Sequence, residues 1–398
     1  MLTLTKAYIP FRGYYSTPFA RWQGTLANEN AIKLAAATSK RWLEHNNWTA
    51  GMFDYLILGM TVGQPQWFFG APWAAALMGN DRLPGVTLSQ ACTTSTTCLY
   101  QASVGIETGF FKNVYCLMAD RTSNGPHTVW PNPNGPGGEV YSENWMMDHF
   151  GFDPHAKNSM IQTAENVARE AGITREQCDA LALRRYEQYT GALADDRAFQ
   201  KRYMFPAEAQ VSKKKTILLE ADEGVTETTP EGLARLKPVL PDGTHTFAAQ
   251  TFPADGNVGV IVTGREKAKE LSADANIEIQ VVSYGYARAK KGFMAMAVVP
   301  AVQMAIKNAG INIQDAKAIK THNPFAANDL YLAQQLNIDV NAFNNYGCSL
   351  IFGHPQGPTA GRLIIEGIEE VVMLGGGYMV WGGCAAGDTA ASMVLKIN

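Results

Sequence analysis

The sequence predicts an α/β protein, and three observations carry that reading. Strand-like and helix-like segments alternate at both ends of the 398-residue chain, the pattern of sheets flanked by helices. Hydrophobic residues make up 46% of the chain, enough to bury a large core spread over two or three domain-sized units. From about Arg121 to Thr246 the pattern changes: the Pro/Gly-rich run Pro131 to Gly138 leads into charge-rich helical sequence through Tyr189. This stretch reads as a helical lid inserted over the core.

Taken in order, Gly85-Val86-Thr87-Leu88-Ser89 reads as a strand, and the segment after it puts Leu99, Ala102, Ile106 and Phe110 on one helical face. Cys92 therefore falls at a helix N-terminus, where the macrodipole and free N–H groups favour a thiolate and lower the thiol pKa from about 8.5. Within the lid, one helix runs from about Ser159 to Arg169, and another starts at Thr174, with Gln177 three residues on as its capping-box partner. In the last third, Ile277 to Ser283 reads as a strand and Pro300 to Asn308 as a helix, with Pro300 at its start and Gly310 past its end. A strand at Ala318 to Thr321, the polar turn His322-Asn323-Pro324-Phe325 and a helix through Leu336 follow. The His354 loop, a helix to Glu370 and two strands around Cys384 complete the chain. The apolar run Val371 to Gly387 is short for a bilayer span and is broken by Gly375-Gly376-Gly377 and Gly382-Gly383, so it reads as two buried strands joined by a turn.

Composition excludes several classes. The net charge is −3 and the only basic run is Lys213-Lys214-Lys215, which argues against nucleic acid or a membrane surface as partner. Six cysteines, none in a CxxC pair, are too sparse for a disulfide framework or a structural zinc site and suit a reducing cytoplasm. The first residues lack the basic and apolar regions of a secretory signal.

One constellation points to chemistry. Gly353-His354-Pro355-Gln356-Gly357 runs on to Gly361-Arg362, and Cys384-Ala385-Ala386-Gly387 lies about thirty residues later. Cys92, Ser123-Asn124-Gly125-Pro126-His127, Thr163-Ala164-Glu165 and His322 to Phe325 precede these in a set order. With these motifs the chain resembles the thiolase superfamily over nearly its full length. The histidine at 322, where asparagine is frequent, makes it similar to the branch of the sterol carrier protein thiolases. The resemblance implies a five-layer αβαβα core of two similar halves, residues 1–120 plus 247–272 and residues 273–398. Residues 121–246 would then form a loop domain over a coenzyme A site. Coenzyme A is implied as a substrate, with no bound cofactor and no metal.

Claisen chemistry and its reverse need a nucleophile that holds an acyl group, a base that activates it, and a second acid/base at the α-carbon. By resemblance Cys92 is the nucleophile and His354 takes or shares its proton. His322 and His354 stabilise the thioester enolate, and Cys384 moves the α-proton and then deprotonates the incoming CoA thiol. The backbone N–H groups of Cys92 and Ala386 would hold the tetrahedral oxyanion, although Ala386 stands where glycine is common and its Cβ narrows the pocket floor. Thr251 matches a family serine near the pantetheine arm.

The aromatic run around Trp67, Phe68 and Phe69, with Phe325, suggests a pocket for a bulky acyl group, and Trp130, Trp145, Met146 and Met147 point the same way. The competing reading makes these rings core or subunit interface. Cys98, Cys116, Cys178 and Cys348 read as small buried hydrophobes, and His127, His149, His155 and His245 as satisfied surface or lid histidines. The expected function is thiolysis of a 3-oxoacyl-CoA, for instance benzoylsuccinyl-CoA to benzoyl-CoA and succinyl-CoA, or the reverse condensation. The alternatives are a ketosynthase-like Cys-His-His condensing enzyme and a non-catalytic thiolase-like assembly subunit. Expected partners are acyl-CoA and CoA, a second copy forming a homodimer, and a small zinc-ribbon/OB-fold subunit of the kind that branch employs.

Overall fold

Two half-sheets follow one plan in the computed structural model, which describes residues 3–398. In the first, strand Tyr55–Gly59 lies parallel to both Gly85–Leu88 and Asn113–Arg121, and the latter pairs antiparallel with Ala254–Thr263. In the second, Ala316–His322 lies parallel to Gly377–Ala385, which pairs antiparallel with Thr389–Ile397, and that strand with Glu278–Arg288. The short strand Tyr8–Pro10 joins them by pairing with Glu278, Ile279 and Gln280 on one side and with Thr263 on the other. Hydrogen bonding thereby runs through one 11-stranded sheet, with the short strands Tyr14–Ser16 and Ala20–Arg21 pairing with Ala254–Thr263 off the main path.

Helices Thr94–Glu107 and Gly357–Met373 pack on each other and on strands of both halves, forming the middle layer. Ala31–His45 and Gly70–Leu77 cover the outer face of the first half, and Val298–Ala309 that of the second. The result is the five-layer αβαβα core. Ala254–Thr263 is buried along its whole length, as expected for a strand covered on both faces.

The middle layer also explains a motif. Arg362 is fully buried, and its guanidinium pairs with Asp222 at 2.6 and 2.8 Å and with Glu366 at 3.0 Å. Arg202 reaches Glu369 at 2.7 Å, and Tyr203 donates to Glu366 at 2.6 Å. Charges survive in such a layer only when paired and hydrogen-bonded. Asp222, Arg202 and Tyr203 lie in the segment between Arg121 and Ala254, so this network also anchors that segment to the core.

The segment itself mixes helix and sheet. Beside helices Met160–Ala171 and Arg175–Arg197 it holds two antiparallel hairpins, His127–Pro131 with Val140–Asn144 and Ala207–Ser212 with Lys215–Leu219. Thr174 and Gln177 form the expected capping box. Three local expectations change. Phe110 lies past the helix end and is 81% exposed, because Gly109 at φ +74° turns the chain. Helix Val298–Ala309 begins two residues before Pro300. The apolar run after Val371 holds a helix end, a glycine turn and one strand, Gly377–Ala385; the last strand, Thr389–Ile397, lies beyond it.

Candidate active site

Two turns, one from each half, meet beside the middle layer. The chain leaves strand Gly85–Leu88, makes the single turn Ala91–Thr93 with Ala91 at φ +45°, and enters helix Thr94–Glu107, which sets Cys92 at the helix entrance. In the other half Gly353, at φ +88°, precedes His354; a Cβ there would lie 2.7 Å from the Phe252 ring and 2.8 Å from Ala254. This close approach lets the His354 N–H donate to the Phe252 carbonyl at 2.8 Å. Gln356, at φ +62°, leads into helix Gly357–Met373. Asp120 ties the site together by accepting from Gly357 N at 2.8 Å and from Thr61 N and Val62 N, each at 2.9 Å. Burial pushes its carboxyl up to about 7 against those donors.

Sheet register brings the rest. His322 ends its strand opposite Gly383 of the parallel neighbour, so Cys384 is the next residue along. The nearest side-chain atoms of Cys92, His322 and His354 lie within 4.8 Å of one another, and the two rings stack at 4.1 Å. His322 Nδ1 hydrogen-bonds with Ser349 Oγ at 2.8 Å and His354 Nδ1 with Thr359 Oγ1 at 2.6 Å. The Nε2 atoms of both rings are buried without a partner among the described residues. Cys92 Sγ donates to Gln356 Oε1 at 3.5 Å, and Cys384 Sγ accepts from Asn328 Nδ2 at 3.1 Å.

Burial dominates the electrostatics. It drives His354 down to about 3, only partly opposed by Gln356, and with neighbouring His354 holds His322 well below its ordinary value. Both imidazoles are neutral at physiological pH. Burial pushes the Cys92 thiol up to about 12, outweighing the backbone N–H groups of Ala386 and Cys92 itself that pull it down. The expected resting thiolate is thus corrected: desolvation exceeds the effect of the helix terminus, and Cys92 would need a base to lose its proton. Cys384 is also raised, by burial and then by the nearness of Cys92.

Cys92 and His354 open onto a cavity of about 500 Å³ that also reaches Gln356, Thr251, Phe325 and Ala386, while His322 and Cys384 lie buried behind its lining. Its walls are mostly apolar and include Trp145, Met147, Phe150, Met160, Ile161 and Met294. Thr251 lies at the rim, but its hydroxyl already donates to Ser349 O at 2.5 Å. Trp67, Phe68 and Phe69 do not line the cavity; they sit on a surface turn, 54%, 88% and 62% exposed. Trp130 is also at the surface, and Met146 is buried elsewhere. His149 lines the cavity and meets Glu143 at 3.0 Å. His245, expected at the surface or in the lid, is fully buried, held by Glu165 at 3.0 Å and accepting Ala327 N–H at 3.2 Å.

Comparison with known proteins assigns the family. The model described as "Thiolase, N-terminal domain" matches residues 13–266 and "Thiolase, C-terminal domain" matches residues 275–397. The chain belongs to the thiolase family. It is an acyltransferase of that family. Human mitochondrial 3-ketoacyl-CoA thiolase is 25% identical over 385 residues, 96% of each chain. The 3-ketoacyl-CoA thiolase of Pseudoalteromonas translucida is 28% identical over 421 residues, 96% of this chain and 94% of that one. Among solved structures, human mitochondrial 3-ketoacyl-CoA thiolase in complex with CoA superposes with a TM-score of 0.89 at 25% identity, covering 100% of this chain and 99% of the other. Bacillus anthracis acetyl-CoA acetyltransferase shares the fold, with a TM-score of 0.90 at 23% identity and 100% coverage of both chains.

Several site residues of this thiolase carried no assigned role in the sequence reading. Gln356 was visible only as the variable position of a motif. Asn328, Ser349 and Thr359 had no local signal, since their partners are far away in sequence or decided by helix phase. Asp388 accepts Gly292 N–H at 2.9 Å and so holds the turn that presents Met294 to the cavity.

Proposed function

We propose that this thiolase cleaves a bulky, aromatic 3-oxoacyl-CoA with coenzyme A through acyl-Cys92, or runs the reverse Claisen condensation; benzoylsuccinyl-CoA is the specific candidate. The carrying observation is the convergence of Cys92, His322 and His354 within 4.8 Å, with Cys92 and His354 lining an apolar cavity and Cys384 beside His322 through sheet register. Cys92 passes its proton to His354 and attacks the 3-keto carbon, with the N–H groups of Cys92 and Ala386 facing the developing oxyanion. The Cα–Cβ bond then breaks, its electron pair forms the thioester enolate, and Cys384 protonates the α-carbon. The Cys384 thiolate next takes the proton of the CoA thiol, and the CoA sulfur displaces the acyl group from Cys92. His354 returns its proton to the released Cys92 sulfur, which closes the cycle.

Tautomers follow from this scheme. His354 Nε2 starts bare, with Nδ1–H donating to Thr359, and becomes a donor to the enolate once it holds the Cys92 proton. A neutral His322 donates from Nε2 only if the Ser349 hydroxyl donates to its Nδ1. The tryptophan, phenylalanine and methionine walls support a large apolar acyl group, and the cavity volume falls in the usual range for small-molecule sites. Residues 121–246 would act as the loop domain between two core halves, 1–120 plus 247–272 and 273–398. The exposed aromatic turn at Trp67 to Phe69 suits a subunit interface, either with a second copy or with a zinc-ribbon/OB-fold partner. A cytoplasm that keeps Cys92 and Cys384 reduced suits the mechanism.

A panel of CoA thioesters tests the reading. Incubation followed by peptide mass spectrometry should find the acyl group on Cys92. Aromatic 3-oxoacyl-CoA should be thiolysed at least as fast as acetoacetyl-CoA; a strong preference for acetoacetyl-CoA would remove the bulky-substrate part.

A further inference from the structure

Each of the two thiols meets one buried carboxamide, and the two amides present opposite ends. Gln356 turns Oε1 toward the Cys92 S–H, and its Nε2 has no partner among the described residues. Asn328 turns Nδ2 toward the Cys384 sulfur, and its Oδ1 has none. Both side chains are buried, at 4% and 3% exposure. An acceptor beside S–H favours the thiol, whereas an N–H donor beside sulfur favours the thiolate. Neither amide titrates, so each bias persists across pH.

Both amides are held by the fold. Gln356 sits in a strained backbone conformation between the His354 loop and a helix whose first N–H is fixed on Asp120, and its carbonyl accepts from Thr359 N at 3.2 Å. Asn328 lies in the first turn of helix Ala326–Leu336, where its N–H donates to Phe325 O at 3.0 Å and His245 accepts the neighbouring Ala327 N–H. The chemistry accounts for the asymmetry. Cys92 has an imidazole beside it to take its proton, so a neutral resting thiol does not prevent attack. Cys384 gives up its proton to the α-carbon and then acts as a base, and the Asn328 N–H on its sulfur stabilises the thiolate formed in between.

We infer that Gln356 and Asn328 are positioning residues that set the protonation of the two cysteines in opposite senses. Gln356 keeps Cys92 a thiol until His354 receives its proton, and Asn328 stabilises the thiolate that Cys384 becomes when it gives up its own. The catalytic meaning rests on the thiolysis reading; the protonation of the sulfurs does not. The other titratable groups facing Cys92 are His322, His354, Cys384 and Asp120, and those facing Cys384 are Cys92 and Asp329. Asp329 is already paired with Arg185 at 2.9 Å.

The full chain is treated with the small thiol reagent methyl methanethiosulfonate across pH 6 to 9, and modification of each cysteine is followed by peptide mass spectrometry. Gln356→Met should raise the Cys92 rate at pH 8 by ~5-fold, the worth of one ordinary hydrogen bond, and leave Cys384 unchanged. Asn328→Leu should lower the Cys384 rate by ~5-fold, leave Cys92 unchanged, and displace the pH profile of α-proton exchange of acetyl-CoA in D2O to higher pH. Asn328→Asp keeps the volume and removes the donor, so it must slow Cys384 too and carries the test if the leucine variant does not fold. No change, changes of the same sign at both cysteines, or reversed signs would overturn the inference. Parallel assays with acetoacetyl-CoA and an aromatic 3-oxoacyl-CoA separate the two ideas: if the unmodified protein cleaves neither, the proposed function falls, while the modification rates still decide the amide roles.

Discussion

The two middle-layer helices hold equivalent places in the two halves but are secured in different ways. Each is entered through a non-glycine residue at positive φ, Ala91 at +45° before the Cys92 helix and Gln356 at +62° before the other, a strain of roughly 1–3 kcal/mol apiece that the surroundings must offset. Helix Thr94–Glu107 carries no charged residue before Glu107 and is held by apolar packing and hydroxyl bonds such as Ser95 to Gly357 O. Helix Gly357–Met373 carries buried Arg362, Glu366, Glu369 and Glu370, of which Arg362 and Glu369 are ion-paired to Asp222 and Arg202 of the segment between Arg121 and Ala254. The difference teaches that the Cys92 turn rests on the core alone, whereas the His354 turn is coupled to the segment over the cavity.

Substitutions at the two helix entrances and in the ion-pair network test that contrast. The largest effect belongs to Cys92→Ala, which removes the acyl acceptor and should cut thiolysis by on the order of 10⁴-fold or more. Its thermal stability should change little, and a large destabilisation would break the contrast. Cys384→Ala should slow thiolysis and α-proton exchange by roughly 10²–10⁴-fold while acylation of Cys92 survives; unchanged thiolysis would remove Cys384 from the mechanism. Arg362→Met strands Asp222 and Glu366 in the interior and should cost about 3–5 kcal/mol in urea unfolding. A loss under about 1 kcal/mol would show that the network is not the anchor.

The smallest effect concerns pH. His354 is held at about 3 by burial, so acidification from pH 8 to 5 leaves it neutral and able to accept the Cys92 proton. Pre-steady-state acylation should show no acid limb from this imidazole until about pH 4; a limb near 6.5 that disappears in His354→Asn would contradict the burial argument. The unfolded chain protonates the same histidine near 6.5, so folding stability contributed here declines as pH falls from about 6.5 toward 3.

Local rules were legible where one segment carries them. The Thr174–Gln177 capping box, the strand–turn–helix around Cys92 and the Gly310 helix stop depend on a few neighbouring residues, and the structure holds each. The motif cysteines and histidines were identifiable because their residue types and order are distinctive. The aromatic turn at Trp67 to Phe69 stayed open in the sequence between pocket lining and core or interface, because aromatic content says nothing about which side of a turn faces inward. Cys92 misled for a related reason: a helix terminus is visible in sequence, but the desolvation that opposes it is not.

By itself, then, the sequence determined the α/β class, the strand–turn–helix around Cys92, and the set of thiols and imidazoles able to carry acyl chemistry, because those depend on short-range periodicity and residue type. Only the tertiary structure decided which of those groups converge, that burial leaves the imidazoles neutral and the Cys92 thiol protonated, and that Gln356 and Asn328 meet the two sulfurs with opposite ends. Desolvation and hydrogen-bond partnership depend on what surrounds a side chain. Here those surroundings come from strands and helices hundreds of residues apart.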